Sequence, residues 1–584
     1  MSLVLSNLVV VLVLCFYKLN TRNPWRWEDV GYRTGFVSVA QLPLIVLLAG
    51  RENIIGFLTG VGYERLNWLH RWTARTLWLS ATIHMGFWFR SWARYDYILI
   101  KLKTDPITQR GFASWCILTF IVLTSISPLR RLSYELFVIS HLVTFAGFIA
   151  AVWLHVPSEN KIWVWLPIAF FAVDRILRAG WFLHHNLPPF RSSKNRNDRG
   201  WGHGASLTRL PGDVTKITIE NPGFWWQPGQ HFFLSCHSII PFQSHPFTIS
   251  SLPSDRKLEF LVKAQSGGTK TFFHHATKHD TLLVPALDTR SALRRVGLEG
   301  PYGRMRSLDQ FDSVVLFAGS TGATFTVPHM RYIVNSWRND AESALARKIR
   351  FVWVVKSRSQ FMWFSHQLEK VVEDTNSHMK SNTGADVQVE ISVYVTCDEE
   401  LVSEKNSSAS CCQPVSYGSQ SPTELPNGIN EKGGDKTSDS KESTYSYNEV
   451  VAAKGCCCCR ATVEDESAPQ ICTCSQIEPA NVSSLSSTSK SEKDGLTISD
   501  TDTDTDTKPK SKATLKLLSG RPHVRGIIRK VLEEAEGESA VVVCGPHGLH
   551  DDVRSSVVSL SDERAVHKGT GAQGVYFHAE GFCY

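Results

Sequence analysis

The sequence predicts a membrane α-helical bundle of about six spans, followed by an antiparallel β-barrel and an α/β parallel-sheet domain that carries a long disordered insert. Three observations lead there. Apolar stretches of spanning length are confined to the first third of the chain, short alternating strands take over after about residue 204, and a strand–helix rhythm begins near residue 312. With 584 residues the chain is too long for one domain. Its mean hydropathy of −0.12 looks soluble only because it averages two unlike halves. The net charge of +7 is not gathered into one basic block, so nucleic acid is not an expected partner.

A spanning helix needs ~20 mostly apolar residues. Six stretches approach this, at 2–17, 34–50, 66–89, 112–128, 134–155 and 162–183, and define a membrane domain over 1–185. The first stretch is short but lacks an A-x-A cleavage site, so it is read as an uncleaved span. Trp68, Trp88, Trp153 and Trp163 sit where aromatic belts are expected. Charge counting opposes a topology with the C-terminal half inside. The loops then placed outside hold Lys18, Arg22, Arg90, Arg94, Lys101 and Lys103, whereas the inner loops hold Arg51, Arg65, Arg130 and Arg131.

Ionisable residues within spans are costly and usually functional. The third span carries His70 and His84, and the fifth carries His141 and His155, each pair fourteen residues apart. That spacing brings both rings of a helix to within about 40° of one face, roughly 21 Å apart along the axis. Two such helices side by side place four imidazoles as two facing pairs, one near each membrane surface. A facing pair suits the two axial positions of a haem iron, and a haem so ligated passes single electrons only. A lone intramembrane His is equally well a hydrogen-bonded packing residue; the repeated spacing on two helices favours haem.

In the soluble half a polar, basic linker leads to 204–305, where VTKITIE, QHFFLSC, PFTISS and LEFLVKA alternate as barrel strands do. HPFTISS offers a His, an aromatic ring and a hydroxyl on an extended strand, suited to a flat ring system. Gly267, Gly268 and Thr269 precede a helical run, whose first N–H groups can bind a pyrophosphate; alone, the Gly pair reads as a plain loop. GPYG closes this region. From 312 to 584, VVLFAG, KIRFVWVV, VQVEISVYVT and AVVVCGP are strand-like runs separated by helical ones. VLFAGSTGAT makes strand, Gly-rich turn and helix without a full G-x-G-x-x-G, and CGPHG ends a further strand.

Between 398 and 512 the chain is rich in Ser, Thr, Asp and Lys, and large apolar residues are few, so disorder is expected. Eight of the fourteen Cys lie here, between Cys411 and Cys474, with a run of four at Cys456–Cys459. Thiolate metal binding, palmitoylation and an incidental composition are all open readings of that run. Because the insert joins two elements of one sheet, its ends are expected to lie close together, and replacing about Asn406 to Thr507 is expected to be silent.

The order of these elements resembles the ferredoxin–NADP reductase superfamily. With LHRWTARTLWLSATIH and YELFVISHLVTFAGFIAAVWLH it resembles the ferric reductase/NADPH oxidase flavocytochromes b, and among them fungal ferric reductases. The final HAEGFCY is similar to the closing E-x-F-x-W of that group, with Tyr584 in place of Trp. The resemblance implies that His70 and His141 ligate an inner b-type haem and His84 and His155 an outer one. It implies that His245, Pro246, Phe247 and Thr248 line FAD, and that Gly267, Gly268 and Thr269 hold its pyrophosphate. Gly319, Thr321 and Gly322 would cradle the NADPH pyrophosphate, with Arg358 at the 2′-phosphate. Cys544, Gly545 and Pro546 would sit by the nicotinamide, and Phe582 would cover the flavin.

The implied activity is that of a plasma-membrane, multi-pass ferric-chelate reductase with its FAD and NADP domains in the cytosol. Electrons would pass from NADPH through FAD and two haems to Fe(III) chelates or Cu(II), supporting iron uptake. Membrane lipid surrounds such a protein, and an iron permease or oxidase is the implied protein partner. The rival readings are a superoxide-forming NADPH oxidase and a non-enzymatic membrane haem scaffold.

Overall fold

The computed structural model describes residues 2–20, 22–23, 26–188, 200–265, 267–278, 293–339, 345–381, 387–396, 462–467, 513–567 and 574–581. Helices form at all six apolar stretches: α1 Ser2–Phe16, α2 Trp27–Ala49, α4 Tyr63–Ala93, α6 Pro106–Thr124, α8 Tyr134–His155 and α9 Ile162–Asn186. Short helices α3 Ile54–Thr59, α5 Ile98–Thr104 and α7 Ser127–Leu132 lie in the connections. Local chemistry sets several starts. Asn53 caps α3, Ser133 caps α8, and Asp105 caps α6 ahead of Pro106, which has no N–H to lose there. By length and composition three helices are apolar enough to cross a membrane, at Trp27–Ala49, Pro106–Thr124 and Leu136–His155. Helices α4 and α9 are longer but carry more charge, and α1 has only 15 residues.

Polar side chains join α1, α2 and α4 inside this bundle. Ser38 and Ser80 share a hydrogen bond of 2.8 Å, Gln41 donates to Ser80, and Thr76 donates to Gln41 and accepts from Asn7. Such groups find no water in hydrocarbon, so they pair across helices. Helix α4 packs mainly on α2 and α8 on α6. Among the described residues α4 and α8 are not close-packed on each other, which corrects the side-by-side expectation and leaves an interval between the two His-bearing helices.

The next unit is a six-stranded antiparallel sheet built from β1 His203–Leu210, β2 Val214–Glu220, β3 His231–Ser235, β4 Ser244–Thr248, β5 Lys257–Lys263 and β6 Arg294–Tyr302, with helix α10 Gly268–Lys278 against it. The order is β4-β3-β6-β1-β2-β5, and its two edges meet at a bridge between Ile249 and Phe260. Trp226, Phe232, Phe260 and Phe272 fill the interior.

The third unit is a parallel sheet of β7 Ser313–Gly319, β8 Lys348–Val355, β9 Gln388–Val395, β11 Thr514–Ser519, β13 Ser539–Gly545 and β14 Val575–Gly581. Two short strands, β10 Thr462–Val463 and β12 Arg521–Pro522, pair beside it. Helices α11 Ala323–Asn339 and α12 Ser365–Ser381 cover one face, and α13 Val524–Glu534 with α14 His547–His567 the other. The order β11-β9-β8-β7-β13-β14 means that the chain builds outward from β7 and then crosses back to its other side at β13. Residues 398–461 and 468–512 lie outside the described residues. The insert does not connect neighbouring points. In the parallel register Thr514 pairs with Glu390 and Ser519 with Val395, so the connection from the end of β9 to the start of β11 runs back about 17 Å.

Candidate functional site

The interval between α4 and α8 holds the four intramembrane imidazoles, all half-buried. Near one end His84 and His155 face each other with ring centroids 6.2 Å apart. That separation admits one metal ion between ring nitrogens at about 2 Å from each. His84 Nδ1 bonds the Gly31 carbonyl at 2.6 Å and His155 Nδ1 the Ile107 carbonyl at 2.9 Å, which directs Nε2 of each ring to any ligand. Both rings fit only because their neighbours lack a side chain. A Cβ on Gly35 would lie 2.9 Å from His84, and one on Gly111 would lie 2.6 Å from His155. At the other end His70 Nδ1 bonds the Ile45 carbonyl at 2.8 Å, while His141 Nδ1 is buried with no partner among the described residues. The His84–His155 pair thus fits a bis-imidazole haem, and His70 and His141 offer the same donor type at the other end. Among the described residues no group of three or more His, Cys, Asp or Glu is placed to hold a metal ion.

The flavin-motif strand β4 pairs with β3, setting Thr248 opposite His231, Phe247 opposite Phe232, Pro246 opposite Phe233 and His245 opposite Leu234. Alternation therefore divides the four residues that the sequence grouped. Pro246 and Thr248 share the face of Phe233 and His231, which is turned toward the membrane helices. Phe247 packs on Phe272 on the opposite face. His245 reaches the Gly-rich turn, where a Cβ on Gly268 would lie 2.9 Å from its Nε2. Gly267 is exposed with φ +59° and nothing within 4 Å of a Cβ added there, whereas Gly268, which begins α10, is buried against His245, Ile240 and Gln243.

The parallel sheet reverses its strand order between β7 and β13, the place where α/β sheets take ligands at their carboxyl ends. Gly319, Thr321 and Gly322 follow β7, and Cys544, Gly545 and Pro546 end β13. The two loops touch backbone to backbone. A Cβ on Gly322 would lie 2.1 Å from the Cys544 carbonyl oxygen, and one on Gly319 would lie 2.5 Å from Pro546. Arg358 opens the turn after β8 at the same edge. Phe582 lies outside the described residues; the strand leading to it ends at Gly581, opposite Gly545.

The sequence reading missed the junction that brings these parts together. Arg51, after α2, and Arg178, on α9, both grip Glu299 of β6, at 3.1 and 2.6 Å. Glu299 also accepts from Tyr302 at 2.9 Å, and the Arg51 guanidinium lies 3.6 Å over the Phe233 ring. Fully buried Asn186, at the end of α9, donates to the Leu298 carbonyl and accepts from its N–H at 2.7 and 2.9 Å, as a strand neighbour would. His231 bonds Tyr63 at 3.1 Å and lies 3.5 Å from Glu64 at the start of α4. Burial pushes the His231 imidazole down to about 4. From the third unit His578 approaches Arg65 at 3.2 Å and stacks on Phe325, and Arg331 makes a two-point ion pair with Asp255. Arg51 and Arg65 thus lie at the end of the bundle that meets the two soluble units.

Three family models match the chain in order. "Ferric reductase like transmembrane component" covers 34–152, "FAD-binding domain" 202–306, and "Ferric reductase NAD binding domain" 311–558. Curated relatives include "Ferric reductase transmembrane component 4" of Saccharomyces cerevisiae, 32% identical over 311 residues, covering 51% of this chain and 39% of that protein. "Ferric/cupric reductase transmembrane component 2" of the same yeast is 30% identical, over 51% of this chain and 39% of its own. "Probable cell surface ferric reductase kap2" of Aspergillus oryzae is 30% identical, over 58% and 44%. The matches therefore span about two fifths of the relatives' own length.

Proposed function

We propose that the chain, which matches ferric reductase family models over its membrane, FAD-binding and NAD-binding parts, is a plasma-membrane reductase that carries electrons from cytosolic NADPH to extracellular Fe(III) chelates and Cu(II). What supports this reading best is the junction between bundle and antiparallel sheet. Arg51 and Arg178 of the helices close on Glu299, which shares a sheet face with Phe233, Pro246 and Thr248.

When bound, NADPH supplies a hydride, FAD turns the electron pair into single electrons, and two b-type haems carry these across the bilayer. The chain's own residues bind and orient. His70 with His141, and His84 with His155, hold the inner and outer haems, their rings aimed by the helix carbonyls at Ile45, Gly31 and Ile107. Gly267, Gly268 and Thr269 hold the FAD pyrophosphate on the first turn of α10, and Pro246 and Thr248 face the ring system. Gly319, Thr321 and Gly322 hold the NADPH pyrophosphate at the start of α11. Arg358 would select the 2′-phosphate, and Cys544, Gly545 and Pro546 would border the nicotinamide. With these four imidazoles as their holders, the haems would supply single-electron transfer to an acceptor outside the protein. The deciding experiment is NADPH-driven reduction of Fe(III) and Cu(II) chelates on intact membranes, with oxygen as competitor. Chelate reduction that resists superoxide dismutase supports the proposal; superoxide as the main product replaces it with the oxidase reading.

A further inference from the structure

Six residues of the insert, Thr462–Ser467, sit on the parallel sheet rather than apart from it. Thr462 and Val463 pair with Arg521 and Pro522 as a short parallel ladder. Val463 packs against the apolar layer under α13. Glu464 meets His523 at 3.0 Å. Three donors from two strands converge on Glu466: the Arg350 guanidinium, the Tyr394 hydroxyl at 2.5 Å and the Ser392 hydroxyl at 3.0 Å. Arg350 is only 5% exposed, and its other carboxylate neighbour, Glu390, stands farther off at 3.7 Å. A buried guanidinium needs a close anion, because desolvation is offset only by a well-placed partner. Here that partner comes from a segment more than 100 residues away in sequence.

We propose that the α13-covered face of the parallel sheet carries a binding groove for a short acidic strand, and that Thr462–Ser467 of the chain's own insert is its occupant. Glu466 is the anchor and Arg350 with Tyr394 and Ser392 the socket. A cavity of about 500 Å³ continues beside the strand, bordered by Lys516 and by the ion pairs Lys348–Glu534 and Lys530–Glu390. The groove runs from the starts of β8, β9 and β11 to Tyr394, next to the last residue of β9, and Gly319, Arg358 and Cys544 are not part of its lining. Docking therefore divides the insert into two tethered loops without touching the nucleotide edge. This inference goes beyond the proposed electron path and does not depend on it.

Hydrogen exchange on the full chain, with its haems and FAD, tests this. Amides of Val463–Ser467 should exchange at least tenfold more slowly than those of the flanking insert. Glu466→Gln should erase that difference while haem content, FAD content and the NADPH KM stay unchanged. Tyr394→Phe should reduce it partly, which keeps the test open if Arg350→Met disturbs the sheet. Exchange at the flanking rate in the unaltered chain, or protection untouched by Glu466→Gln, would overturn the proposal. Protection of β9 and β11 that survives removal of 462–467 in membranes, but not after purification, would give the groove to another acidic partner and overturn the self-docking assignment.

Discussion

The two intramembrane histidine pairs share a spacing but not a setting. In the outer pair, His84 and His155 are each tied through Nδ1 to a carbonyl of a neighbouring helix, and each ring abuts a glycine that makes room for it. In the inner pair only His70 is tied in this way. His141 leaves a buried Nδ1 without a partner and rests against Phe137, with ring centroids 5.5 Å apart. Carbonyl bonds choose the tautomer and the ring angle before any iron arrives. The His84–His155 pair is therefore oriented on both sides, and the His70–His141 pair on one.

The largest effect that would test this contrast is removal of a ligand. His84→Ala or His155→Ala should halve haem content and abolish transmembrane electron transfer while NADPH still reduces flavin. Pyridine haemochrome and flavin absorbance measure both, and a full haem complement in either variant would end the assignment. Next is the junction. Glu299→Ala leaves the half-buried Arg51 and Arg178 without their shared carboxylate, a loss of about 1.5–3 kcal/mol. Stopped-flow should then show haem reduction slowed on the order of tenfold or more with flavin reduction unchanged. Equal slowing of both phases would remove Glu299 from the inner-haem side of the comparison.

Smaller, and specific to the outer site, is Gly111→Ala. Its new methyl meets His155, so outer-haem occupancy should fall, whereas Gly147→Ala, which meets nothing within 4 Å, should be silent. Equal spectra for the two variants would show that glycine clearance does not set the outer site.

Acid should act outside the membrane helices, at the junction. Burial pushes His231 down to about 4 and His329 down to about 3, so both are neutral in the fold and protonate more readily when unfolded. Their neutral-state stability is complete above the ordinary imidazole value of about 6.5 and is lost as pH falls from there toward 4 and 3. Melts at pH 7.5 and 5.0 should show the lower pH destabilising the soluble units, and His231→Gln should reduce that difference. The smallest effect concerns the insert. Replacing 406–461 and 468–507 by short Gly/Ser linkers while keeping 462–467 should leave chelate reduction and melting temperature unchanged, whereas removing 462–467 as well should lower the melting temperature.

Much of this was legible in the residues alone. Hydrophobic length marked the helices, a spacing of fourteen paired the histidines, alternating runs marked β2, β3 and β5, and apolar runs between helical ones marked β7 and β8, because each of these signals is local. Tertiary structure alone decided what depends on residues far apart in the chain. It set Gly35 beside His84 and Gly111 beside His155, and it turned Pro246 and Thr248 toward the membrane helices while Phe247 turned away. It closed Arg51 and Arg178 on Glu299, and it brought Glu466 out of a polar insert onto Arg350. No window of sequence contains both members of these pairs. Their partners are chosen by which helices pack, which strands pair and where a buried charge finds its counter-ion, and those choices exist only in the folded chain.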